Sequence, residues 1–66
     1  MTDEEIRHIF IEIATGPGRH GSFLMAFANA VLAADPSNFA LVRPLALLLI
    51  SKCGLDEYLD NFQESG

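Results

Sequence analysis

The sequence predicts an all-α fold, a small bundle of three to four short helices that forms a homo-oligomer. Apolar residues recur at helical spacing, and helix-start signals followed by glycine or proline turns divide the chain. Half of the 66 residues are hydrophobic, which is a high share for so small a monomer. A chain of this length buries too little surface to be more than marginally stable alone. A single cysteine allows no internal disulfide. We therefore expect self-association to supply the missing burial.

The first helix is expected over residues 3–14. Thr2 and Glu5 have the capping-box spacing, in which each side chain accepts a hydrogen bond from the other residue's backbone N–H. The apolar residues that follow share one helical face: Ile6, Ile9, Phe10 and Ile13. A strand over residues 9–13 is an alternative, because the isoleucines there also alternate with other residues.

The second helix is expected over residues 22–34, with Ser22 as its N-cap. This segment is rich in alanine, the strongest helix former. Its apolar residues point in all directions around the helix, and this pattern is typical of a helix buried on most sides.

The third helix is expected over residues 36–53, and a short fourth helix over residues 56–63. Asp35 and Pro36 suit the N-cap and the first helical position, while Pro44 removes one internal hydrogen bond and favours a kink. Gly54 fits the left-handed residue that ends a helix. Asp56 is the predicted cap of the fourth helix. The whole chain, 1–66, is expected to be one helical domain.

The net charge of −5 is distributed unevenly, with acidic residues at both ends and a mildly basic middle. A long nucleic acid would meet the acidic ends, so it is not an expected partner, whereas a small anion remains compatible. The apolar runs at 23–34 and 44–50 are shorter than a membrane span. We expect no membrane partner, and a lone cysteine without a signal peptide indicates the cytoplasm.

The stretch T-G-P-G-R-H-G-S at 15–22 matches G-x-G-x-x-G and most of a phosphate-binding loop. A dinucleotide site needs a strand before this loop and a second strand after the helix, here 45–50, with an acid to hold a ribose. That acid is missing. The ATP-cleaving loop needs a lysine between its last glycine and the serine. Here Ser22 follows Gly21 directly, so that lysine is missing. We therefore predict no catalytic residues and no enzymatic activity.

A weaker function is still open to this loop. Glycines let successive N–H groups converge on an anion at the start of a helix, and basic side chains add donors. The alternative is that Gly-Pro-Gly only turns the chain. The candidate ligand-binding residues are Gly16, Gly18, Arg19, His20, Gly21 and Ser22, with Arg43 assisting.

Two other side-chain patterns give weaker evidence of a functional site. His8 and Glu12 are one helical turn apart, as two metal ligands would be, but no third ligand accompanies them. We expect no metal and no cofactor. Cys53 is expected to pack in apolar surroundings at a helix end.

Three stretches of the chain form a recognisable pattern: I-A-T-G-P-G-R-H-G-S-F-L at 13–24, A-F-A-N-A-V-L-A-A-D-P-S-N-F-A-L-V-R-P at 26–44 and K-C-G-L-D-E-Y-L at 52–59. With this pattern the chain, from Ile9 onward, resembles a group of short bacteriophage and prophage proteins. The resemblance implies a small, cytoplasmic, non-enzymatic accessory protein that counteracts host defence by binding. Similar phage proteins sequester nucleotide signals in oligomeric pockets.

The sequence therefore leads to one expected function and one alternative to it. The first is a homo-oligomer that sequesters a small phosphorylated signal at the glycine loop. The second is a helical module that binds or inhibits a host protein and has no small-molecule ligand.

Overall fold

The structure, a computed structural model, describes residues 1–18 and 20–60. Over these ranges the chain is all-helical, with α1 (Asp3–Thr15), α2 (Gly21–Ala33), α3 (Pro36–Cys53) and a 3-10 helix (Leu55–Leu59). The strands considered over 9–13 and 45–50 are wrong, because both stretches lie inside α-helices. None of the helices in the described ranges has the length and apolar character needed to cross a bilayer.

The capping box predicted at the start of α1 is confirmed. The Thr2 hydroxyl oxygen accepts from the Glu5 N–H at 3.1 Å, and the Glu5 carboxylate accepts from the Thr2 N–H at 2.8 Å. The predicted apolar face is fully buried: Ile6, Ile9, Phe10 and Ile13. This helix is central to the fold, because it packs against both α2 and the 3-10 helix.

The second helix begins at Gly21, so the Ser22 N-cap is wrong. His20 occupies the N-cap position, and Ser22 lies exposed in the first turn. The expected burial on most sides also fails for this chain, since one face is buried through Leu24, Ala28 and Val31. Phe23, outside that face, is 63% exposed.

The third helix begins and ends as predicted. The Asp35 carboxylate accepts from the Asn38 N–H at 2.7 Å, and Gly54 ends the helix at φ 67°, ψ 32°. Between these caps α3 continues through Pro44 as one helix. Its buried face consists of Phe39, Ala46 and Ile50.

The last described element is a short helix, as expected, and it is a 3-10 helix at Leu55–Leu59. Gly54 precedes it and no side chain caps it, so the Asp56 cap is wrong. Leu55 is 1% exposed, and the element packs against both α1 and α3. The expected extension to residue 63 lies outside the described residues.

Two side-chain contacts join α3 to α1. The guanidinium carbon of Arg7 lies 4.2 Å from the centre of the Phe39 ring, a cation–π arrangement. The Arg43 Nε–H donates to the Asp3 carboxylate at 2.8 Å, and its guanidinium also donates to the Met1 carbonyl. The third helix is therefore held at the N-terminal end of α1 as well as by the 3-10 helix.

Candidate functional site

The glycine loop connects the end of α1 to the start of α2. Gly16 caps α1, and its N–H donates to the Ile13 carbonyl at 3.4 Å. Its backbone is extended, but a Cβ atom there would lie 2.8 Å from the Glu12 carbonyl oxygen. Glycine is therefore required at this position for space, because the main chain turns back closely over the last turn of α1.

Gly18 and Gly21 are required for conformation. Their φ angles are 76° and 87°, in the region that other residues avoid, and a Cβ at either position would meet nothing within 4 Å. His20 lies between them at φ −91°, ψ −1°. A right-handed residue followed by a positive-φ glycine is a pairing that occurs in backbone anion nests. Here it stands directly at the start of α2, where the Gly21 N–H donates to the Gly18 carbonyl at 3.4 Å.

The His20 side chain turns away from α2 and contacts Tyr58. Its Nε2 atom lies 2.5 Å from the Tyr58 hydroxyl oxygen, and the two rings meet edge to face with centroids 5.7 Å apart. As a result, His20 makes no side-chain hydrogen bond to the first turn of α2.

Tyr58 is also held by a second histidine. The His8 Nε2–H donates to the Tyr58 carbonyl at 3.2 Å, because a carbonyl oxygen can only accept. The same nitrogen lies 3.7 Å from the Glu12 carboxylate. Sequence reasoning missed this junction, since no local pattern links residues 50 and 38 positions apart.

The structure brings together most, but not all, of the residues predicted to bind a ligand. Gly16, Gly18 and His20 lie in the short connection before α2, and Gly21 and Ser22 begin that helix. Arg19 lies outside the described residues. Arg43 is bound to Asp3 and Met1 at the far end of α1, about 18 Å along that helix from the loop. The structure therefore does not bring Arg43 to the glycine loop.

Two further findings limit the chemistry of the described ranges. No group of three or more histidine, cysteine, aspartate or glutamate side chains is placed to hold a metal ion. No pocket is formed within residues 1–18 and 20–60 of one chain. Cys53 is exposed, so the expected packing of its side chain is wrong.

A second candidate surface lies on α3, opposite its buried face. Leu41, Leu45 and Leu48 are 76%, 44% and 67% exposed and fall within about 60° around the helix axis. We call these three residues the leucine stripe. Sequence reasoning missed it because other apolar residues surround the helix and hide the spacing of the three leucines.

The glycine loop and the leucine stripe are the two candidate sites, and neither is identified by similarity. Comparison of the chain with protein-family models, with curated proteins and with solved structures finds no match.

Proposed function

We propose that this protein is a non-catalytic binder of a small phosphorylated ligand, which it holds at the glycine loop. The observation that supports the proposal is the sequence of backbone conformations at His20 and Gly21, at a helix start with no side-chain cap. The Gly21 N–H donates to the Gly18 carbonyl at 3.4 Å, and the N–H groups that follow it in the first turn of α2 lie at the positive end of the helix dipole. A phosphate oxygen is a suitable acceptor for them.

The charge distribution around the loop supports a small ligand. Between Glu12 and Asp35 the sequence has no acidic residue, and Arg19 is its one permanently charged cation. Tyr58, however, holds the 3-10 helix near the loop, and that element carries the exposed carboxylates of Asp56 and Glu57. These carboxylates repel an extended polyanion more than a compact one, so the proposed ligand is a nucleotide or a similar small phosphate.

The proposed binder works as a homo-oligomer. A ligand of nucleotide size normally lies in a concave site, and the described part of one chain forms no pocket. A second copy that covers the loop would supply the remaining walls. Together with the phage resemblance, this proposes sequestration of a nucleotide signal of host defence in the host cytoplasm.

The test measures binding of a panel of linear and cyclic nucleotides by native mass spectrometry and calorimetry. Arg19→Gln removes the proposed charged donor, and a charge-assisted hydrogen bond of about 1.5–3 kcal/mol predicts a 10- to 100-fold weaker affinity. Arg43→Gln is the matched control: it makes the same charge change at the other end of α1, and it should leave the affinity unchanged.

Three results would contradict the proposal. If the wild-type protein binds no nucleotide of the panel, the proposed class of ligand is wrong. Equal losses in the two arginine variants would attribute binding to net charge and not to the loop. An unchanged affinity in Arg19→Gln would place the ligand elsewhere. Thermal unfolding of each variant shows whether a loss of binding reflects a loss of the fold.

The second candidate function is a helical module that binds a host protein without a small ligand. The leucine stripe favours it, because exposed apolar residues on one side of a helix are typical of contact surfaces. The two candidates differ in their sensitive residues. A protein-binding module should tolerate Arg19→Gln and lose its partner when the stripe is made polar.

A further inference from the structure

We infer that the leucine stripe is covered by a second copy of this chain, with the two α3 helices packed antiparallel. The inference rests on the homo-oligomer in the proposed function and adds a contact surface on α3 to the contact that covers the glycine loop. It does not require the phosphorylated ligand, because the stripe and the glycine loop lie on different elements.

The spacing of the stripe fits a helix–helix seam. Leu41, Leu45 and Leu48 are separated by four and then three residues, and Lys52 continues the pattern. Alternating steps of four and three keep a row of side chains on one line, as in the a and d positions of a coiled coil. The opposite face of α3 is already filled by its own chain, so the stripe needs an external partner to become buried.

The charges on α3 select a second copy and an antiparallel arrangement. In an antiparallel pair related by a two-fold axis between Pro44 and Leu45, Leu41 of one chain lies opposite Leu48 of the other. Lys52 then lies opposite Ser37, and the Asp35 carboxylate, two residues before Ser37, is within reach of its long side chain. A parallel pair would bring two Lys52 ammonium groups together and align the two helix dipoles unfavourably.

The charges of α3 permit a self-contact along the stripe. Each chain has a net charge of −5, but α3 contains no acidic residue between Pro36 and Cys53. The Arg43 charge in this helix is paired with Asp3 of its own chain. Two copies of α3 can therefore approach along the stripe without bringing carboxylates of this helix together, and Lys52 of one chain lies near Asp35 of the other.

Sedimentation equilibrium over a range of protein concentrations tests the surface. The wild-type chain of 7.2 kDa is expected to have at least twice its monomer mass. Leu41→Gln combined with Leu48→Gln should raise the dissociation constant by at least about 100-fold, because leucine burial drives the association. Leu32→Gln, an exposed leucine on α2 away from the stripe, is the matched control and should keep the wild-type mass.

A spin label on Cys53 tests the orientation, since this cysteine is exposed and is the single one in the sequence. In the antiparallel pair the two labelled positions are about 25 Å apart along the helix axis. In a parallel pair they are adjacent. A short distance measured by electron double resonance would therefore overturn the antiparallel arrangement.

The outcomes separate this inference from the function on which it rests. A wild-type monomer at all concentrations overturns both the stripe pairing and the homo-oligomer. An oligomer that the stripe variant leaves intact overturns the pairing alone. A monomer whose stripe binds a different protein assigns the stripe to the second candidate function and overturns the self-pairing. Circular dichroism of the stripe variant confirms that exposed leucines were replaced without loss of helix.

Discussion

Pro44 lies in the middle of α3, and replacing it with alanine should stabilise the protein. The helix runs from Pro36 to Cys53 without interruption, although proline has no N–H to donate to the carbonyl of Ala40. Pro44→Ala restores this donor and removes the clash of the ring with the preceding turn. Both Pro44 and Ala40 are exposed, so the new side chain displaces no buried neighbour.

The size of the effect follows from two opposing terms. Proline is about 3 kcal/mol less favourable than alanine inside a helix. Losing proline also frees the unfolded chain, which costs about 0.4–1 kcal/mol. The net gain is therefore about 2 kcal/mol, and for a chain of this length each kcal/mol shifts Tm by roughly 4–8 °C. We expect Tm to rise by about 8–16 °C.

Pro36→Ala is the matched control in the same helix. Pro36 occupies the first helical position, where its missing N–H has no partner in any case and its fixed φ suits the helix. Only the unfolded-state term remains, so this variant should lose about 0.4–1 kcal/mol. Thermal unfolding followed by circular dichroism measures both. A change of the same sign in the two variants would refute the reasoning.

Two further predictions concern the core and the tyrosine junction. Phe10→Ala should cost about 3–5 kcal/mol, because the ring is 0% exposed and packs edge to face against Phe27. A domain of this length is stable by only about 3–10 kcal/mol, so its cooperative thermal transition should be largely lost, and a Tm within a few degrees of wild type would contradict the packing. Tyr58→Phe keeps the ring and removes the hydroxyl that contacts His20, which should cost about 1 kcal/mol in urea unfolding. An unchanged midpoint would mean that water replaces this hydrogen bond without loss.

The features predicted best are those encoded by neighbouring residues. The capping box of Thr2 and Glu5, the Asp35 N-cap and the left-handed Gly54 each involve residues within a few positions of one another. The four buried residues of α1 follow from a spacing that any amphipathic helix has. Local hydrogen bonding and helical periodicity are enough to determine these features.

The features predicted wrongly depend on distant residues. Ser22 is a good N-cap by type, but the conformations of His20 and Gly21 begin α2 one residue earlier. His20 in turn is held by Tyr58, far along the chain. Similarly, the Arg43 guanidinium could bind an anion, but it donates hydrogen bonds to the Asp3 carboxylate and the Met1 carbonyl. A sequence lists the side chains but does not indicate which long-range partner each one meets.

The candidate site was predictable in its backbone and not in its side chains. Glycines at 16, 18 and 21 indicated a loop with positive φ, and two of the three adopt it. The leucine stripe has a clear spacing, but it is visible only when the buried face of α3 is known. Exposure is a property of the whole packing arrangement, so a helix that is apolar all round conceals which side remains uncovered.

The junction between His8 and Tyr58 also bears on how the protein is made. The buried face of α1 is synthesised first, but part of its cover is the 3-10 helix at residues 55–59. Until the ribosome has added Leu55 and Tyr58, α1 and α2 can pair only with part of their apolar surface exposed. Folding of the nascent chain is therefore completed after translation of nearly all the described residues, and no shorter product ending before Leu55 can close the core.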